Sequence, residues 1–180
     1  MWKKFLLLSF SLLLLLAANL NFVWKVSVND TSLPGFYSSK DIKNCQKLSA
    51  EAAEEISAGR ASPAIIRKQL RLSFSPPRAD KRLLNNCLLL YSGGVQLADG
   101  VFVNGRLLGT VDDGNKLSQM LRSYIKNQMP NSAVFGSISG KLQIRPVFSR
   151  ENHLSDYEDM ILLVSGMAPV FYVDSSGHIV

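Results

Sequence analysis

The first two dozen residues constrain this chain more than any later stretch. Met1-Trp2-Lys3-Lys4 places two positive charges ahead of the run Phe5 to Trp24, whose only polar interruptions are Ser9, Ser11, Asn19 and Asn21. As a helix rising about 1.5 Å per residue, a run of about 20 residues spans about 30 Å, the thickness of a bilayer's hydrocarbon core. The lysines hold the start on the cytoplasmic side, so everything after Lys25 is sent outward. The competing reading is a cleaved signal peptide, with Lys3 and Lys4 as its basic end and Phe5 to Leu16 as its apolar stretch. Ala17-Ala18 makes a poor cleavage site, because Leu15 or Leu16 occupies the other recognition position, and an uncleaved anchor is favoured. Either way residues 1–26 are an anchor or signal segment, and residues 27–180 form one exported domain.

The net charge of +6 is concentrated rather than spread. Residues 60–82 carry seven basic side chains (Arg60, Arg67, Lys68, Arg71, Arg78, Lys81, Arg82) against one acid, Asp80. Anionic membrane lipid suits such a patch, each nearby Lys or Arg contributing about 1 kcal/mol. Nucleic acid is not expected as a partner: of the aromatic platforms a single-strand binder stacks bases on, only Phe74 falls in the segment. A solvated basic face with no specific partner is the plainer alternative. Cys45 and Cys87 lack the spacing of a zinc knuckle or a redox Cys-x-x-Cys. In an oxidising compartment they can close a loop of about 43 residues, stabilising the fold by roughly 4 kcal/mol; otherwise they are two buried thiols.

Taken in order, the chain changes texture along its length. Ser32 sits between a strand-like lead-in and the Pro34-Gly35 turn, on a bend that would fix its hydroxyl. Lys47 to Gly59 reads as a helix with Ser49 as N-cap, acids Glu51, Glu54 and Glu55 in its N-terminal half, and Gly59 just past its end. Ser62-Pro63 opens a second helix carrying Ile65, Ile66 and Leu70, broken by Ser73 to Pro77. Leu83-Leu84 and Cys87 to Tyr91 read as an apolar strand, and Val95 to Leu97 as an alternating one. Asp99-Gly100 and Asn104-Gly105 bracket Val101 to Val103, and both dipeptides suit two-residue hairpin turns. Asn115 to Met129 is the clearest helix: Leu117, Met120, Leu121, Tyr124 and Ile125 make one apolar stripe, and Pro130 ends it. Ala133 to Phe135, Lys141 to Phe148, Met160 to Val164 and Val170 to Val173 read as strands. The fold class expected is mainly β with added helices, α+β.

Two stretches carry a family resemblance. Val28-Asn29-Asp30-Thr31-Ser32-Leu33-Pro34-Gly35-Phe36-Tyr37 is similar to the nucleophile box of the TraF-type conjugative transfer peptidases, relatives of the type I signal peptidases. Asp99-Gly100-Val101-Phe102-Val103-Asn104-Gly105 resembles the hairpin that follows their catalytic-lysine strand. The resemblance implies a signal-peptidase-like β domain behind a single transmembrane helix, in a bacterial inner membrane and facing the periplasm. It implies a Ser/Lys serine endopeptidase without cofactor or metal, with Ser32 as nucleophile and an exported protein such as a pilin precursor as substrate. Such a dyad needs a lysine desolvated enough to act as a neutral base. Counting back from Asp99, that lysine falls near Asn85 and Asn86, neither of which is a base. Lys81 is the nearest lysine upstream, four residues away and about 13 Å along a continuous strand.

Lys81 is therefore the candidate base. The alternative is a pseudopeptidase that keeps a peptide-binding cleft and serves as an assembly factor of a secretion or conjugation system. Both readings require Ser32 beside the 83–91 strand. Phe148-Ser149-Arg150 lacks the Asp of the family's later signature, and beyond residue 110 the resemblance lapses. His153 with Asp156 or Asp159 offers a second base for Ser32, and His178 a weaker one. No phosphate loop, dinucleotide fingerprint or metal-ligand spacing is present.

Overall fold

The computed structural model describes residues 20–180, and the proposed membrane segment lies outside them except for its last residues. Among the described residues no helix is long and apolar enough to cross a membrane. The fold is mixed α+β. The chain divides into two compact units. The first is formed by residues up to Glu55 together with Gly59–Gly93, the second by Ile56–Ala58 with Gly94–Val180.

The first unit is built on a three-stranded antiparallel sheet with β1 (Asn21–Val28) between β2 (Thr31–Ser32) and β3 (Ile66–Ser73). Residues 21–26, read above as part of the leader, are thus strand. Asn29 and Asp30 both take positive φ (43° and 67°) and close a two-residue hairpin, the turn whose twist matches its flanking strands. Val26 and Val28 of β1 point into a core with Leu33, Tyr37, Ile42, Cys45, Leu84, Cys87 and Leu88.

Three elements of this unit correct the sequence reading. Helix α1 (Ser39–Ser57) starts well before Lys47. Ser38 Oγ accepts from Asp41 N at 3.0 Å and donates to Asp41 Oδ2 at 2.8 Å, so a capping box operates here. Ser49, expected to be the cap, lies inside the helix with its hydroxyl donating to the Cys45 carbonyl at 2.7 Å.

The helix expected after Ser62-Pro63 is strand β3. Ile66 and Leu70 fit a spacing of four, but Ile66, Lys68, Leu70 and Leu72 also fit a period of two, and eight residues of β1 supply the ladder. The strand expected over 83–91 is helix α2 (Lys81–Leu90), capped by Asp80, whose side chain accepts from Arg82 N at 2.8 Å. The run is leucine-rich with no β-branched residue, so propensity favours a helix. Leu84, Cys87 and Leu88 then fall on one buried face. Leu84 is fully enclosed, a burial that contributes about 1.5–3 kcal/mol.

The second unit pairs β4 (Val95–Val103) with β5 (Arg106–Val111) on one side and β7 (Leu142–Arg150) on the other. β6 (Ala133–Ile138) pairs with β8 (Val170–Asp174) as a separate two-stranded sheet. Asn104-Gly105 is the hairpin turn expected, with both residues at positive φ. Asp99-Gly100 is not a turn: both residues lie within β4, and the Asp99 carboxylate accepts from Gly114 N at 2.8 Å.

Helix α3 (Gly114–Asn127) follows its apolar stripe, burying Leu117 and Leu121 against Val101, Val103 and Val111. The strand expected at Met160 to Val164 is helix α4 (Tyr157–Met167), capped by Asp156, whose carboxylate accepts from Glu158 N at 2.8 Å. It buries Met160, Ile161 and Val164.

Candidate functional site

Ser32 lies on β2, exposed, directly opposite Ser27 of β1. Ser27 in turn pairs with Arg67 of β3, and Lys25 with Gln69. Paired residues share a face of the sheet and alternate residues along a strand share it too. The register therefore assembles Ser32, Ser27, Lys25, Arg67 and Gln69 on one surface. They line a groove of about 300 Å³ together with Lys68 and Asp30. Asp30 forms an ion pair with Arg67 across it, and beside it Thr31 Oγ1 lies 2.8 Å from the Tyr91 hydroxyl.

Lys81 lines a different groove, with Ser38, Asp41, Phe36 and Arg78. Its Nζ is 2.6 Å from Asp41 Oδ1 and its side chain is 64% exposed. Hydrogen bonds from Lys81 first, and from Ser38, hold the Asp41 carboxyl below its ordinary value of 3.8. A solvated lysine facing a carboxylate is in the opposite surroundings to a desolvated general base.

Asn85 and Asn86, where the resemblance puts the lysine, are on α2. Asn85 Oδ1 is buried without a hydrogen-bond partner, and Asn86 is exposed. The sequence expectation of Ser32 beside an 83–91 strand is thus replaced by a helix that touches the neighbouring Thr31 through Tyr91. The lysines that do share the Ser32 groove are Lys25 and Lys68. Sequence reasoning missed both, because their approach depends on β1–β3 pairing and the 62–72 stretch reads as a helix.

The remaining candidates are dispersed. His153 is exposed in the second unit, where Asp156 caps α4 and Asp159 lies in its first turn. His178 Nδ1 is 3.8 Å from Asp174 Oδ2. Cys45 and Cys87 are free thiols in the core of the first unit, both pushed up by burial, Cys45 also by the Asp41 charge. Among the described residues no three His, Cys, Asp or Glu side chains gather in a metal-binding group. The second unit has a groove of about 590 Å³ between α3 and α4, lined by Met120, Tyr124, Glu158, Ile161 and Leu162, which includes none of the sequence candidates.

One further arrangement bears on function. β3 pairs with β1 alone, so its other edge carries no strand among the described residues, and Arg67 to Leu72 are all exposed. An edge of that length can accept an added strand. Comparison of the chain with protein-family models, with curated proteins and with solved structures finds no match.

Proposed function

We propose that the chain is a membrane-anchored factor, its folded part outside the bacterial inner membrane, that binds an extended segment of an exported protein without cutting it. The binding site is the Ser32 groove and the Ile66–Gln69 half of the free β3 edge. Kinship with TraF-type peptidases and their signal-peptidase-like fold rests on residues 28–37 and 99–108; on that kinship the chain is a pseudopeptidase. The single observation that carries the reading is the 2.6 Å pair between Lys81 and Asp41, in a groove separate from that of Ser32. It leaves the Ser32 hydroxyl with a basic, strand-edged groove and without the base the sequence offered. Backbone hydrogen bonds to β3 would supply affinity, and Arg67 and Lys68 a preference for acidic side chains.

A second reading, an active Ser/Lys endopeptidase acting on a pilin precursor, is favoured by one observation: Lys25 and Lys68 line the same groove as Ser32. The two readings separate in one experiment. The full chain in detergent is incubated with an exported pilin precursor and with a fluorescent peptide of alternating Glu and Val as long as β3. The expected outcome is an unchanged precursor mass, together with peptide binding that weakens on Arg67→Glu/Lys68→Glu substitution and with added salt. Cleavage that disappears in Ser32→Ala overturns the binding reading, and Lys25→Met and Lys68→Met then identify the base. Peptide binding indifferent to the charge reversal removes this groove as the site.

A further inference from the structure

The other half of the β1–β3 ladder has a different character. Phe22 pairs with Leu72 and Trp24 with Leu70, so all four lie on the face that farther along carries the buried Val26 and Val28. Trp24 still packs on the core. Beyond it the sheet outruns its cover: Phe22 is 68% exposed, Leu72 57%, Leu70 48%, and Phe74, just past the strand, 59%. Four large apolar side chains at one end of a ladder are costly to leave in water, and contiguous patches of this kind mark interaction surfaces. Arg71 pairs with Val23, on the other face of the same end of the ladder, where its guanidinium donates to Gln69 Oε1 at 3.0 Å. Both it and Arg78 shortly after it are exposed cations at this end.

The position of this end in the chain identifies its occupant. β1 begins at Asn21, directly after the sixteen-residue remainder of the apolar run, Phe5 to Leu20. A chain emerging from a bilayer arrives first at Phe22, and antiparallel pairing brings Leu72 and Phe74 back to the same level. Aromatic and aliphatic side chains next to arginines are the composition of an interfacial contact, apolar groups at the acyl boundary and cations among anionic headgroups. We propose that the Phe22–Leu72 end of the ladder, with Leu70, Phe74 and Arg71, is a bilayer-docking surface that seats the first unit on anionic lipid. Strands rise about 3.3 Å per residue, so Ile65, nine residues before Phe74, is carried about 30 Å away from that surface. The Ser32 groove, which lies towards that far end of the sheet, stays in water. The inference rests on the proposed membrane anchor and not on what the groove binds.

The test uses the full chain in lipid nanodiscs, with Trp2→Phe and Trp24→Phe removing both native tryptophans and a single reporter introduced as Phe74→Trp or Ile65→Trp. The lipids are phosphatidylcholine with or without phosphatidylglycerol, and the acyl chains carry bromine as quencher. Phe74 lies far along the sequence from the apolar run, so quenching there reports docking rather than proximity to the anchor. The expected result is several-fold stronger quenching of the Phe74→Trp reporter than of Ile65→Trp. It should weaken when phosphatidylglycerol is omitted, in Arg71→Glu, and in Phe22→Ser/Leu72→Ser. The serine variants alter exposed positions, and circular dichroism verifies their fold; Arg71→Glu repeats the test without touching an apolar contact. Equal quenching of the two reporters overturns the proposal. So does a Phe74→Trp reporter shielded in proportion to protein density rather than to lipid charge, the outcome if the patch meets a second copy.

Discussion

Replacing Gly35 by alanine tests the geometry that holds Ser32 in place. Gly35 has φ +76°, and a Cβ there would sit 2.9 Å from the Ala79 Cα, 3.0 Å from its Cβ and 3.2 Å from its N. The left-handed conformation alone costs an L-residue about 1–2 kcal/mol. The obstruction is main chain, which cannot swing aside as a side-chain tip would. Ala79 N donates to the Phe36 carbonyl at 3.3 Å and Phe36 N to that of Pro77 at 3.2 Å, so moving the 77–79 segment disturbs both bonds and the Asp80 cap beyond them. Overpacking of that kind adds about 1–3 kcal/mol, for a total of about 2–5 kcal/mol.

Gly59→Ala is the internal control. Its φ is +79°, but a Cβ would meet only Glu54 Oε1, at 3.7 Å, so it carries the dihedral cost of about 1–2 kcal/mol and no clash. Urea unfolding of the full chain, followed by Trp24 fluorescence in a Trp2→Phe background, reads both. Trp24 is bonded to Tyr37 through both backbone groups, each at 2.9 Å, and reports this unit. With a slope of about 2 kcal/mol/M, Gly35→Ala lowers the midpoint by about 1–2.5 M and Gly59→Ala by about 0.5–1 M. Equal losses for the two variants would refute the close approach of Ala79 to the Pro34-Gly35 turn.

Two titrations test the electrostatics. Tyr157 donates its hydroxyl hydrogen bond to Asp112, and that acceptor, with lesser contributions, pushes the phenol up to about 12; alkaline difference absorbance should show a late-titrating tyrosine that returns to the ordinary range in Asp112→Asn. The Asp41 carboxyl is held below its ordinary 3.8 by Lys81 and Ser38, so its contribution is present above that value and is lost as pH falls through the lower folded one. The unfolding free energy of the wild type read from urea titration should therefore drop on acidification below pH 4 by up to about 1 kcal/mol, the limit set by the exposed Lys81. Asp41→Asn should remove that part of the drop, and an identical acid profile in the variant would contradict the pair.

How far the sequence discloses this molecule depends on whether a local signal had a rival. The Asn104-Gly105 turn had none, because two adjacent residues at positive φ are what a two-residue hairpin demands. The α3 stripe from Leu117 to Ile125 matched only the helical period. Leu83 to Leu90 and Met160 to Val164, by contrast, are short apolar runs that periodicity alone cannot assign. The deciding information lay just upstream, in Asp80 and Asp156 as N-caps, each accepting from the backbone N–H two residues on.

For residues 62–72 even the caps mislead, since Ser62-Pro63 opens a helix as convincingly as any pair in the chain. What turns Ile66–Ser73 into strand is β1, about 40 residues earlier, which needs a long partner for its inner edge. That same non-local choice makes the candidate site. The Ser32 bend can be read from its own decapeptide, but Lys25, Arg67 and Gln69 come to it through register, and shifting the β1–β3 ladder by one residue would turn Arg67 and Gln69 to the opposite face. A motif scan looks for a base at a fixed distance along the chain and finds Asn85 there. The sheet offers cations at a fixed distance across it instead, and cations on an open, strand-edged face suit holding an extended acidic segment better than they suit removing a proton from Ser32.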